Sequence, residues 1–212
     1  MRGSKYTSST YQCPLALGDG QNSVMMQRVF VDANVLFSRT LYDWLFWLRI
    51  KSSGELFRLH TSWDVINEAG ARLRDEHPEW GGQGISSLMS KITEIFDEII
   101  EEFPGGNVGG ISDAGDWHVH HAAEASRADI LLTQDSGFSS DLTHYEVYSC
   151  DEFFVEVNKS APRVVQEVIE IQAPYWAKRG GKQLPDALRE ASCPEFAEIV
   201  LKRIRKMAVT TK

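Results

Sequence analysis

The chain has 212 residues, enough for one substantial hydrophobic core. Hydrophobic residues make up 42% and charged residues 25%, ordinary for a globular protein. No apolar run approaches the ~20 residues of a membrane span. The formal net charge is -8, unevenly placed: residues 163–212 carry ten Lys/Arg against six Asp/Glu, the rest twelve against twenty-four. An acidic body does not attract nucleic acid by its overall field, but it can gather carboxylates for a cation. The basic tail is the only sizeable region that offsets phosphate charge.

Residues 1–27 are polar and rich in Ser, Gly and Gln, without the apolar core of a signal peptide. They are expected to form a flexible leader. Cys13, Cys150 and Cys193 lie far apart with no CxxC pair. That argues against a disulfide framework or zinc site and suits a reducing cytoplasm.

The first strand is expected at Arg28-Val-Phe-Val, which ends at Asp32 and is followed by Asn34. An acid there is either a helix cap or a group at the ligand-binding edge of an α/β sheet. Ser38 to Lys51 reads as a capped helix, with Leu41, Trp44, Leu45 and Leu48 on its apolar stripe. Leu56 to Leu59 is a short second strand. Thr61 or Ser62 then caps a helix from Trp63 to about Asp75. Glu68 falls within the apolar stripe of that helix and must be paired, protonated, metal-bound or turned to an edge, where Arg72 is in reach.

After a Gly-rich loop, Ile85 to Phe103 reads as one amphipathic helix. Its acids Asp97, Glu98, Glu101 and Glu102 form a solvated face. Pro104 to Gly110 is a break. A helix start follows at Asp113 to Asp116, and Val119, Ala122 and Ala123 make a small-residue face for close packing on a sheet. Ala128 to Thr133 is a third strand that repeats the opening pattern, with Asp135 just beyond its end. Tyr145 to Tyr148 is a fourth strand, and Asp151 caps a short helix from Glu152 to Val157. Helices are then expected at 164–171, 184–191 and 194–207, with a loop at Pro174 to Gly181.

This order implies a three-layer α/β/α fold with a central parallel sheet, over residues 28–160, plus a basic helical C-terminal extension at 161–212. In that layout Asp32 and Asp135 end strands on one side, Asp116 begins a helix on that side, and Glu68 reaches the same rim. Carboxylates this close cannot all ionise without a cation. Hard oxygen ligands point to Mg²⁺ or Mn²⁺, and such a site can activate water for phosphoryl hydrolysis. No GxSxG, P-loop or GxGxxG is present. His118 and His121 share a helix face and read as polar residues near the site.

Four motifs in this order resemble the PIN domain: Val-Phe-Val-Asp32-Ala-Asn34-Val-Leu, Val-Ile-Asn-Glu68, Asp116-Trp-His-Val-His-His-Ala-Ala and Leu-Leu-Thr133-Gln-Asp135-Ser-Gly-Phe. The resemblance covers about residues 28–157. It implies a metal-dependent ribonuclease, similar to the VapC-type toxins of type II toxin–antitoxin pairs. It implies that Asp32, Glu68, Asp116 and Asp135 hold Mg²⁺ or Mn²⁺ and that Asn34 and Thr133 support them. A cognate antitoxin and a homodimer are family expectations. Asp113 competes with Asp116 as third acid, and the tail after residue 162 has no counterpart in the pattern. In that tail Lys178, Arg179, Lys182, Arg203, Arg205 and Lys206 are candidate phosphate ligands.

Two other readings compete. One is a non-catalytic RNA- or protein-binding module whose acids are structural; another is a PIN nuclease of RNA processing rather than a toxin. A haloacid-dehalogenase-like phosphatase needs a second acid where Asn34 stands. A receiver domain needs a lysine after a late strand, which is missing.

Overall fold

The computed structural model describes residues 26–109, 111, 113–138 and 143–210. The expected leader, apart from its last two residues, and Cys13 lie outside them. The elements in chain order are β1 (Gln27–Val31), α1 (Ala33–Leu36), α2 (Arg39–Lys51), β2 (Phe57–Ser62), α3 (Trp63–Glu76), α4 (Gly82–Thr93) and β3 (Glu98–Ile100). A 3-10 turn (Ala114–Asp116) leads into α5 (Trp117–Ala125). Then come β4 (Ile130–Leu132), β5 (Glu146–Tyr148), α6 (Cys150–Ser160), α7 (Pro162–Arg179), α8 (Leu184–Glu190) and α9 (Pro194–Thr210).

The strands form one parallel sheet in the order β3-β2-β1-β4-β5, flanked by helices. β1 is central because Val29, Phe30 and Val31 are apolar on both faces, as a strand covered on both sides requires. Val29 pairs with Leu59 of β2 on one side and with Ile130 of β4 on the other. From β1 the chain moves outward through β2 to β3, then returns to the opposite side for β4 and β5. The order therefore reverses between β1 and β4. In open parallel sheets, ligands bind outside the carboxyl ends of the strands at such a reversal. Asp32 and Thr133 directly follow those two ends.

The fold corrects the expected pattern in three places. The segment 85–103 is not one helix: α4 ends at Thr93 and Glu98–Ile100 is the edge strand β3. Ile92, Ile95, Phe96 and Ile99 fit helical spacing, but a bidentate Arg49–Asp97 pair and the bond from Leu59 N to Asp97 draw the chain into the sheet. Asp97 is therefore a tie between elements and not part of a solvated face. The expected loop at 174–181 is helical as far as Arg179, with Pro174 inside α7. Proline removes its own N–H bond and crowds the carbonyl four residues back, and the packing of α7 on α2, α6, α8 and α9 outweighs both. Ser149 caps α6 through a capping box with Glu152. Asp151 instead accepts from Glu195 N and Phe196 N at the start of α9.

The C-terminal helices share the core of the sheet. Val165, Val168, Ile169, Leu188, Phe196 and Val200 belong to the same buried cluster as β1 and α2. Trp44 meets Phe196 edge-on at 4.7 Å and Phe154 at 6.2 Å between ring centroids. Such aromatic pairs add to the area they bury. Among the described residues no helix is long and apolar enough to cross a membrane.

Candidate functional site

Asp32 sits in the crevice and is 6% exposed. Both of its oxygens are engaged. Oδ1 accepts from Ala33 N at 2.6 Å, which makes Asp32 the cap of α1, and Oδ2 accepts from Asn34 Nδ2 at 2.6 Å and Thr133 Oγ1 at 2.7 Å. The cap and site readings of Asp32 thus describe one residue. A carboxylate offers about four lone-pair sites. Three are taken, and the fourth has no donor among the described residues. Burial pushes the carboxyl above its ordinary range, while the hydrogen bonds from Thr133 and Ala33 pull it back.

Thr133 and Asn34 link the two strand ends. The Thr133 hydroxyl donates to Asp32 and accepts from Asn34 Nδ2 at 2.9 Å and from Asp135 N at 3.0 Å. That uses its one proton and both lone pairs. Asn34 Oδ1 accepts from Gln134 N at 2.9 Å. The Gln134 side chain donates to Ala191 O and accepts from Cys150 N, so it joins this edge to α6 and the end of α8. The sequence carries no signal for this role of Gln134, because both of its side-chain partners are distant in the chain.

Asp135 is exposed and folds its Oδ1 back onto Gly137 N at 2.7 Å. Asp116 ends the 3-10 turn and begins α5, yet its side chain makes no capping bond. A Cβ on Gly137 would lie 3.2 Å from Asp135 Oδ1 and 3.5 Å from Asp116 Oδ2. The two carboxylates therefore flank one glycine, which leaves the space between them clear. The Asp116 carboxyl is pushed up to about 6, by burial first and then by the charges of Asp135, Asp113 and Asp32. His118 opposes the shift. Asp113 is exposed, caps the 3-10 turn by accepting from Gly115 N at 2.8 Å, and acts on Asp116 as a neighbouring charge.

Glu68 is not within the buried stripe of α3: its side chain is 56% exposed. Val65, Ile66, Ala69 and Leu73 are buried, and Glu68 emerges beside them toward α5. Its partner is not Arg72, which pairs with Glu76 and lies over the Phe37 ring. His118 Nε2 lies 3.4 Å from Glu68 Oε2. His118 Nδ1 donates to Gly115 O at 2.6 Å, because a carbonyl only accepts. His118 Nε2 makes no hydrogen bond among the described residues, so His118 is bonded to the turn that carries Asp116 and lies beside Glu68. His121 Nε2 lies 3.0 Å from Gly106 O, and His120 Nδ1 lies 2.9 Å from the Tyr145 hydroxyl.

The donor set is all oxygen, the chemistry that suits a hard divalent ion. Asp32 has one lone-pair site without a hydrogen bond among the described residues, and the Asp116 carboxyl is raised by burial first and then by its anionic neighbours. These are the conditions that a cation relieves. As the side chains stand, no group of three or more His, Cys, Asp or Glu among the described residues is arranged to hold a metal ion. Asp135 and Glu68 are exposed and have room to turn.

The basic candidates divide differently. Lys182 pairs with Glu190, and Arg203 donates to Pro162 O at 2.7 Å and to Asn158 Oδ1, so both are structural ties in α7–α9 packing. Burial lowers the Arg203 guanidinium below its usual range. Lys178 and Arg179 fall in the last turn of α7, and Arg205 and Lys206 lie on α9. Arg179 donates to the Tyr175 hydroxyl at 2.5 Å, and Arg39, which the motifs and the charge pattern did not single out, donates to the same oxygen at 2.7 Å.

No family model matches the chain, and no curated protein matches it. Among solved structures the chain is similar to the crystal structure of PAE2754 from Pyrobaculum aerophilum. That likeness is 20% identical at a TM-score of 0.46, over 66% of this chain and 94% of that one. The fold class rests on the sheet topology of this chain itself.

Proposed function

We propose that the protein is a metal-dependent endoribonuclease of the PIN type. The observation that carries this reading is that Asp116 and Asp135 flank Gly137 while Asp32, at the strand-order reversal, acts on Asp116 as a neighbouring charge. Their mutual repulsion contributes to raising Asp116 to about 6. Glu68 lies beside His118, which follows Asp116 by two residues, with Oε2 at 3.4 Å from its Nε2. A fold gains no stability by gathering like charges, so an arrangement of this kind points to a ligand.

The residues have distinct tasks in this reading. Asp32, Asp116, Asp135 and Glu68 would hold Mg²⁺ or Mn²⁺. The bound ion would lower the pKa of a coordinated water and offset charge on the phosphoryl oxygens. Asn34 and Thr133 keep Asp32 oriented, with one lone-pair site open. His118 is fixed on the turn that carries Asp116 by its bond to Gly115 O. Gly137 keeps the space between Asp116 and Asp135 free of side-chain atoms.

The test is cleavage of single-stranded RNA by purified protein in Mg²⁺ or Mn²⁺, with Asp116→Asn and Asp113→Asn side by side. Loss of metal-dependent cleavage in Asp116→Asn, with activity kept in Asp113→Asn, is the expected result. Wild-type protein that cleaves no RNA in either metal overturns the reading. The toxin role, a cognate antitoxin, a homodimer and a cytoplasmic location are part of the proposal and rest on the motif resemblance. Growth arrest on expression, relieved by the product of a neighbouring gene, tests the toxin role.

One observation favours a second reading, a non-catalytic module. Both oxygens of Asp32 are already engaged by protein donors, so the acid also has a structural use. Calorimetric titration decides between them: absence of Mg²⁺ and Mn²⁺ binding selects the module.

A further inference from the structure

An open cleft of about 420 Å³ lies where the start of α2 meets the end of α7 and α8, lined by Ser38, Arg39, Thr40, Trp176, Arg179 and Lys182 among others. Its charge is unbalanced in a particular way. Arg39 Nη2 and Arg179 Nη1 converge on the hydroxyl of Tyr175 at 2.7 and 2.5 Å, and both guanidinium carbons lie within 5.8 Å of that ring centroid. A phenol is neutral and cannot offset two cations. Asp43, 3.6 Å from Arg39 Nε, supplies one negative charge, and Lys182 is matched by Glu190. Among the described residues of this cleft one cation is left over, and each guanidinium keeps most of its five donors for another acceptor. Two planar forks converging on one point suit a tetrahedral anion with several oxygens. The Ser38 hydroxyl makes no capping bond and adds a donor at the rim.

The cleft adjoins the carboxylates. The single turn α1, about 6 Å of helix rise, and Phe37 separate Asp32 from Ser38. Gln134 spans the same gap on the other side: its N–H reaches Asn34 Oδ1, and its side chain reaches the carbonyl of Ala191, which lines the cleft. An acidic body repels a polyanion, so a strand lying at the carboxylates needs cations close beside them.

We propose that the cleft holds a backbone phosphate of single-stranded RNA, next to the phosphate presented to the carboxylates, with Arg39 and Arg179 as its ligands. This rests on the nuclease reading, but its test does not require cleavage. A fluorescently labelled single-stranded RNA oligomer is titrated in EDTA against wild type, Arg39→Gln, Arg179→Gln and Arg74→Gln. Arg74 lies on α3, away from the cleft. The expected result is a dissociation constant raised about five- to tenfold in each cleft variant and unchanged in Arg74→Gln. Removing either cleft arginine should also lower the slope of log affinity against log salt by about 0.7. Equal affinity and slope in all four proteins overturns the proposal, as does an oligomer that does not bind wild type while inorganic phosphate protects the arginines. If the cleft variants lose affinity but wild type never cleaves RNA in Mg²⁺ or Mn²⁺, the cleft stands and the nuclease reading falls. Arg39 is 57% exposed, so its substitution leaves the core intact, and an unchanged thermal melt confirms that.

Discussion

Thr133 Oγ1 donates to Asp32 Oδ2 at 2.7 Å across the gap between two strand ends that are 101 residues apart in the chain. Both residues are buried. This bond, with the Asn34 amide against the same two residues, holds the central carboxylate in one orientation. Thr133→Val keeps the shape and removes the donor. The substitution should cost about 1–3 kcal/mol, because Asp32, Asn34 and Asp135 N each lose a partner. It should also raise the Asp32 carboxyl further, since the Thr133 bond is the largest influence lowering it. Thr133→Ser should restore most of both. Denaturant melts and a carboxyl-resolved NMR titration check this, and a Thr133→Val protein as stable as wild type refutes it.

Asp116 makes folding dependent on pH in a defined direction. Its folded-state carboxyl is raised to about 6 from 3.8, so the native state binds the proton more tightly than the unfolded chain. The stabilisation from that proton is fully present below pH 3.8 and is lost as pH rises through about 6. Asp116→Asn should therefore be more stable than wild type at pH 7. The gain should be about 1 kcal/mol, after allowance for solvent screening of a partly exposed group. The difference should vanish near pH 4. Thermal melts of the two proteins across pH 4–8 give the comparison.

Divalent ions should act on the same group with the same sign. In the proposed reading, Mg²⁺ or Mn²⁺ at a hundred times its dissociation constant stabilises wild type by about 2.7 kcal/mol. It should leave Asp116→Asn nearly unmoved. A melting temperature that does not respond to either ion in wild type counts against metal binding.

Asp97 is a tie between elements. Arg49 reaches it through Nε at 3.0 Å and Nη2 at 2.5 Å, and Leu59 N donates to it at 2.9 Å. Burial raises its carboxyl, but the Arg49 and Leu59 hydrogen bonds prevail and hold it below the usual range. Its stabilising contribution is thus present above the ordinary carboxylate pKa and is lost as pH falls through the lowered value. Asp97→Ala should cost about 2 kcal/mol and free the β3 edge first. Hydrogen exchange should show reduced protection at Leu59 and in β3, while α6 stays protected.

Trp44 tests whether the sheet and the C-terminal helices unfold together. It is fully buried between Phe154 and Phe196, and its Nε1 has no hydrogen-bond partner among the described residues. Trp44→Ala should cost about 3–5 kcal/mol and keep a single transition. Trp44→Phe should cost far less, because it also removes an unsatisfied donor. A second, separate transition would mean that α7–α9 unfold alone.

The strand-then-acid pattern at Val29–Asp32 and again at Ile130–Asp135 was legible because each is a short apolar run ended by a polar turn, and that periodicity is local. The helices at α2 and α3, and the acids Asp32, Asp116 and Asp135, followed from the same local signals. Other features depend on partners far along the chain, and no local pattern contains them. Ile92 to Ile99 satisfies helical spacing and strand composition alike, so Arg49 and Leu59 decide that β3 forms. Pro174 is a helix breaker in isolation, and packing on α2 and α9 overrides it. Glu68 looked enclosed by an apolar stripe, yet its side chain is 56% exposed at the edge of α3, with His118 Nε2 at 3.4 Å. The basic residues of the tail read as one group, while the tertiary structure commits Lys182 and Arg203 to intramolecular ties and brings Arg39 to Arg179. Local sequence determined the elements with a clear period of their own, such as β1, β4, α2 and α3, and the acids that follow β1 and β4. Tertiary packing decided which charges meet, because charge pairing depends on distances in space that sequence separation does not set.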